Sequence, residues 1–142
     1  MSEVAGATVS AADVAKQWLD VLARGAVEEW SGVTDEALLM HVVFMPGGAG
    51  PVQGRSANAA IVGEFWKAWK TFAFHDVEAH ESREEPGLVF MTARSEAETA
   101  WGASYANTYV FRTRIANGKV VEHREYFDPL PVLETFKDHL PG

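Results

Sequence analysis

The sequence predicts an α+β fold: a cone-shaped, curved antiparallel sheet wrapped around helices, with one internal pocket. Three observations carry this. The first 70 or so residues place apolar side chains mainly at helical spacing. From Phe74 the period changes to two and stays there through four segments. Between the last two of these sits Asn117-Gly118, a strong hairpin signal. A meander of strands needs one face covered, and the helices supply the cover.

The chain has 142 residues, which suits one domain. Residues 1–9 read as a loose tail and 10–142 as the domain. Ser10-Ala11-Ala12-Asp13 resembles a capping box, and Ala11, Val14, Trp18, Val21 and Leu22 follow as one helical stripe that ends at Arg24-Gly25. A short second helix is expected over Ala26–Ser31. Leu38–Met45 reads as a buried strand, Pro46–Pro51 as a turn, and Val52–Gly54 as a short return strand. Ser56 is expected to cap a third helix whose wide apolar face runs through Ile61, Phe65, Ala68, Trp69 and Phe72. Phe74–Glu81, Leu88–Thr99, Ser104–Ile115 and Lys119–Phe127 read as strands. Pro129 and Pro131 stop the last one, and Val132–His139 reads as a terminal helix.

A net charge of -8 without a basic run argues against nucleic acid and against an anionic membrane surface. The absence of cysteine removes disulfides, thiolate catalysis and cysteine metal sites. Residues 1–10 have neither a basic nor an apolar leader region, and no apolar run is long enough to span a bilayer, so a cytoplasmic protein is expected. His41, His75 and His80, with Asp76 and Glu78, lack a second ligand set at recognisable spacing, so no metal is expected. Gly47–Gly50 lacks the lysine of a phosphate loop, and no cofactor is expected. The 8 Phe, 5 Trp and 3 Tyr can line a cavity as readily as fill a core, which points to a small-molecule ligand.

A two-residue turn fixes register. With Asn117-Gly118 at its centre, Ala116 faces Lys119, Val110 faces Glu125 and Arg112 faces His123. One face then carries Thr108, Val110, Arg112, Arg114, Val121, His123, Glu125 and Phe127; the other carries Asn107, Tyr109, Phe111, Thr113, Ile115, Val120, Glu122, Arg124 and Tyr126. Both are partly apolar, so one face is expected to line the pocket and the other to pack on a second subunit, giving a homodimer. Glu125 among Val110, Val121 and Phe127 is the leading candidate for a general base. His123, one strand step away, reads as a proton shuttle or a pocket wall.

From Gln53 onward the chain resembles the nuclear-transport-factor-2-like superfamily, which includes ketosteroid isomerases and SnoaL-like polyketide cyclases. Its closest local match is to the limonene-epoxide-hydrolase family, carried by Gly54-Arg55, Arg94-Ser95-Glu96, Gly118-Lys119 and Arg124-Glu125-Tyr126-Phe127-Asp128. That resemblance implies Glu125 as the base that activates water, Glu96 as the acid that protonates the epoxide oxygen, and Arg94 between them. Epoxide hydrolysis or opening is therefore the first expected activity. The chain also resembles the phenazine-biosynthesis A/B proteins through Tyr105, Asn107, Asn117-Gly118 and Arg124-Glu125, which again places an active-site glutamate on Glu125. The runner-up is isomerisation, cyclisation or dehydration with Glu125 as single base, and a third reading is a non-catalytic binding protein. Val42, Phe44, Ile61, Phe65, Val110 and Phe127 are the expected substrate-lining residues. Val42 and Phe44 stand where the epoxide hydrolases hold water with Tyr and Asn, Ile61 where the phenazine proteins carry a His, and Met45 where the steroid isomerases have an Asp before proline.

Overall fold

The structure is a computed structural model that describes residues 9–48 and 50–139. Most of the expected tail, residues 1–8, lies outside the described residues. Helix α1 (Ala11–Arg24) begins where Ser10 Oγ accepts the Asp13 N–H at 3.1 Å, and ends at Gly25, whose φ of 68° suits a residue without a side chain. Its stripe of Val14, Ala15, Trp18, Leu19, Val21 and Leu22 is buried. Helix α2 (Val27–Gly32) is short and contributes the buried Trp30.

Strand β1 (Thr34–Val42) starts four residues earlier than the sequence suggests. Thr34 is buried there because its hydroxyl is used twice. It accepts from Trp18 Nε1 at 3.1 Å and donates to the Trp30 carbonyl at 2.5 Å, which joins α1, α2 and the sheet. Strand β2 (Val52–Gln53) returns antiparallel to β1. Helix α3 (Arg55–Lys67) is capped by Gly54 at φ 104° and not by Ser56. What seats it is Asn58, buried, whose Nδ2 donates to the carbonyls of Val52 and Gly54 at 3.0 and 2.8 Å. The helix ends at Lys67, and the chain pairs with a later strand from Trp69 onward. Strand β3 (Trp69–Glu81) therefore takes Trp69 and Phe72, which the helical spacing had assigned to α3.

Strands β4 (Leu88–Thr99), β5 (Ser104–Ala116) and β6 (Lys119–Phe127) complete one six-stranded sheet in the order β2-β1-β6-β5-β4-β3. The sheet is mixed rather than purely antiparallel. β1 and β6 run parallel, because everything between them in the chain forms one long crossover. Helix α4 (Pro129–Phe136) is capped by Asp128, whose carboxylate accepts the Leu130 N–H at 3.0 Å. The prolines that end β6 also start this helix, since an N1 proline sacrifices no helical hydrogen bond.

The register between β5 and β6 corrects the sequence reading. Asn117 and Gly118 have φ of 53° and 73°, as a two-residue hairpin requires, and Ala116 does face Lys119. Ile115 then faces Val120 but Arg114 faces Glu122, so Val121 has no partner and forms a bulge. Beyond it Glu125 pairs with Phe111 and His123 with Thr113. The bulge lets both strands turn their apolar sets inward. Tyr105, Tyr109, Phe111, Ile115, Val120 and Phe127 are all buried in one core with Trp18, Leu38 and Met91.

Candidate functional site

Glu125 lies on the concave face of β6, between two buried neighbours of alternate position, His123 and Phe127. Its side chain is 14% exposed. On one side β5 presents Phe111; on the other β1 presents Val42, its register partner. His123 is fully buried between the rings of Trp18 and Phe111, with centroids 4.3 and 5.3 Å away. Its Nε2 stands 3.4 Å from Glu125 Oε1, and its Nδ1 stands 2.9 Å from Thr113 Oγ1. A carboxylate, an imidazole and a hydroxyl thus form one line across the inner face of β5 and β6.

A second polar line runs along β5 and β4. Ser95 Oγ is 2.9 Å from Tyr109 Oη, which is 3.2 Å from Tyr105 Oη. Asn107 Nδ2 donates to Tyr105 Oη at 2.8 Å and to the Asp128 carbonyl at 2.9 Å, while its Oδ1 accepts the N–H groups of Thr108 and Asp128. All four side chains are buried. Burial, with the negative charge of Glu125 adding to it, holds the Tyr105 and Tyr109 hydroxyls well above their ordinary range. Both phenols therefore stay protonated and available as donors.

The expected acid and its partner lie elsewhere. Arg94 and Glu96 project from the convex face of β4, with side chains 46% and 63% exposed. Arg94 Nε donates to Asp76 at 2.6 Å, and Glu96 stands 3.2 Å from His75 and 3.4 Å from Arg94. The Asp76 hydrogen bond is the main reason the Arg94 guanidinium is held above its usual value. β4 and β6 do flank β5, but alternation puts Ser95 inside and its two neighbours outside. The two-carboxylate arrangement is corrected accordingly.

Among the expected lining residues, Phe127 is buried and Val42 and Phe65 are partly so. Val110 is corrected to the convex face, where it pairs with Tyr126. Phe44 and Ile61 are half exposed, and the Phe44 ring meets Tyr126. Surface hollows among the described residues lie away from Glu125. One of about 330 Å³ lies between Trp101 and the end of α4, and one of about 170 Å³ between α1 and β3; Glu125 lines neither. The residues that sequence reasoning did not place at the site are Ser95, Tyr105, Asn107, Tyr109 and Thr113. For the four on β5 the signal was the alternation Tyr105, Asn107, Tyr109, Phe111, Thr113, one strand face that carries two phenols, an amide and a hydroxyl; Ser95 on β4 left none.

Four helices packed on one six-stranded sheet form the nuclear-transport-factor-2-like fold, which the chain shares with a protein of that type from Burkholderia xenovorans at 18% identity and TM-score 0.71, covering 88% of this chain and 94% of that one. Within it, residues 15–123 match the SnoaL-like domain, and the chain belongs to that family. Among solved structures the chain is similar to a candidate isomerase from Bacillus subtilis, at 18% identity and TM-score 0.81, covering 89% of this chain and 92% of that one. It is similar to a phenazine-biosynthesis-related protein from Pseudomonas aeruginosa, at 11% identity and TM-score 0.76, covering 92% and 82%. It is also similar to an epoxide hydrolase of the limonene-epoxide-hydrolase-like type from M. tuberculosis, at 13% identity and TM-score 0.66, covering 90% of each. At these identities the likeness is one of fold. No curated protein matches the chain.

Proposed function

We propose that this protein is an acid/base enzyme that moves a proton next to a carbonyl of a small, largely apolar metabolite, with Glu125 as its single general base. Isomerisation, aldol-type cyclisation and dehydration share that step. The observation that carries the reading is the placement of Glu125: a carboxylate turned to the concave face, 14% exposed, with an imidazole at 3.4 Å. The side chain is not fully enclosed, so one edge of the carboxylate stays open to a small molecule. The convex position of Glu96 favours this single-base chemistry over epoxide opening, which needs an acid opposite the base.

Glu125 takes the proton from the carbon beside the carbonyl, and the electron pair moves to the carbonyl oxygen. The Ser95–Tyr109–Tyr105 line supports that oxygen by a simple count. Two hydroxyl-to-hydroxyl contacts use two protons, the three hydroxyls own three, and Asn107 already donates into Tyr105. With Ser95 donating to Tyr109 and Tyr109 to Tyr105, the Tyr105 proton is free for a developing oxyanion, the interaction that stabilises an enolate. Protonated Glu125 then returns its proton at the new position, which completes an isomerisation without a cofactor.

The test is exchange of α-protons for solvent deuterium in a panel of small apolar ketones and β-dicarbonyl compounds, followed by proton NMR. Exchange above the buffer rate is expected, and Glu125→Gln is expected to lower it about 10²–10⁴-fold while leaving the folded protein intact. Exchange at the wild-type rate in Glu125→Gln would overturn the reading.

A further inference from the structure

The proposed function uses Glu125 and leaves the line behind it unexplained. Thr113, fully buried on β5, makes one side-chain hydrogen bond among the described residues, to His123 Nδ1 at 2.9 Å. From this we infer that Thr113 is a positioning residue. Its hydroxyl holds His123 as the neutral tautomer protonated on Nε2, and that N–H fixes the Glu125 carboxylate.

The buried Thr113 and His123 have few protons and lone pairs to place. Three groups share two contacts, and among the described residues Thr113 and His123 make no other side-chain hydrogen bond; the imidazole is walled by Trp18 and Phe111. A neutral imidazole has one N–H and one lone pair. If the proton sat on Nδ1, that N–H would meet the Thr113 oxygen, and the Thr113 proton would be buried without an acceptor. The Nε2 lone pair would then face a carboxylate oxygen at 3.4 Å, a repulsive contact. An imidazolium would satisfy Glu125 but leave the Thr113 proton orphaned as before. Only one arrangement satisfies every group: Thr113 O–H donates to Nδ1, and Nε2–H donates to Glu125. An orphaned buried donor is costly enough to decide among tautomers that differ little in water.

This arrangement gives His123 a role other than proton shuttle. A neutral imidazole clamped at Nδ1 by a donor cannot pass a proton through the ring without first losing that bond. His123 acts as a fixed donor that orients the carboxylate, and Thr113 chooses which nitrogen faces it. The catalytic part of this inference rests on Glu125 being the base; the tautomer does not.

The experiment separates the two. Ring nitrogens of His123 are read by long-range ¹H–¹⁵N correlation in the intact, histidine-labelled protein at neutral pH, with no substrate present. The wild type is expected to show Nε2 protonated and Nδ1 as an acceptor. Thr113→Val, which keeps the shape and removes the donor, is expected to lose that single tautomer, and Thr113→Ser to retain it. An Nδ1-protonated or imidazolium His123 in the wild type would overturn the inference, as would an unchanged Nε2 tautomer in Thr113→Val. If Thr113→Val does not fold, the wild-type spectrum and Thr113→Ser decide. In the exchange assay Thr113→Val is expected to fall at least about tenfold, short of the Glu125→Gln loss, with Thr113→Ser close to wild type. Wild-type exchange in Glu125→Gln with the tautomer as predicted would remove the reaction and leave the lock standing.

Discussion

Single hydrogen bonds set the chemistry available at this site. Glu125 is singular because alternation along β6 puts it on the same face as His123 and Phe127, among rings. Its charge is felt at Tyr105 and Tyr109, whose hydroxyls are raised first by burial. That direction has a consequence for stability. Folding favours the neutral phenols, so their contribution is complete below the unfolded value near 10 and is lost as pH rises beyond it. Alkaline unfolding is therefore expected to begin above about pH 10 and to coincide with the rise of tyrosinate absorbance. Tyr105→Phe and Tyr109→Phe should each remove part of the absorbance step that accompanies unfolding. A step of wild-type size in both variants would show that these phenols ionise before the fold opens. Tyr105→Phe carries a second expectation, an exchange rate lowered about 10²–10³-fold with Glu125 unchanged. A wild-type rate in that variant would take Tyr105 out of the reaction.

At the scale of elements, the decisive feature is the Val121 bulge. The Asn117-Gly118 turn was legible because a two-residue hairpin demands positive φ at both central positions, and few residues supply it. The bulge was not legible, because an extra residue in one strand leaves no mark in composition; Val121 is as β-prone as its neighbours. The consequence was a β5 register one residue out, with Val110 and Arg112 set opposite Glu125 and His123 in place of Phe111 and Thr113. Helix α3 shows the same limit from another side. Ile61, Phe65, Trp69 and Phe72 continue a helical spacing past Lys67, and only tertiary contact with β4 pulls the last two into a strand. Arg94 and Glu96 were placed by resemblance, and the pleat of β4 puts them outside with their partners on β3. The tight end of the sheet offers a test of the packing. A Cβ on Gly87, where φ is 90°, would lie 2.5 Å from the Ile115 carbonyl oxygen, so Gly87→Ala is expected to cost about 1–3 kcal/mol or more in denaturant unfolding. A loss under half of that would mean the β4–β5 end is looser than its Ile115 N–H to Gly87 carbonyl bond of 2.8 Å implies.

The whole molecule has two kinds of face. The concave side is filled by α1 and the inner rings. The convex side leaves Phe90 and Val110 43% and 47% exposed, beside the cluster in which Glu122 meets Arg112, Arg114 and Arg124. Apolar residues on the outer face of a sheet are the feature that motivates a dimer. A homodimer packed through this face is expected, with Phe90→Glu plus Val110→Glu giving a monomer by light scattering at micromolar concentration. A monomeric wild type would leave those residues as ordinary surface. Among the described residues no helix is long and apolar enough to cross a membrane. The account of function depends on the division between faces: one carboxylate inside, the other outside. The most direct measurement is α-proton exchange compared in the wild type, Glu125→Gln and Glu96→Gln under one set of conditions. Exchange is expected to be lost in Glu125→Gln and unchanged in Glu96→Gln; a comparable loss in Glu96→Gln, or wild-type exchange in Glu125→Gln, would contradict a single inner base.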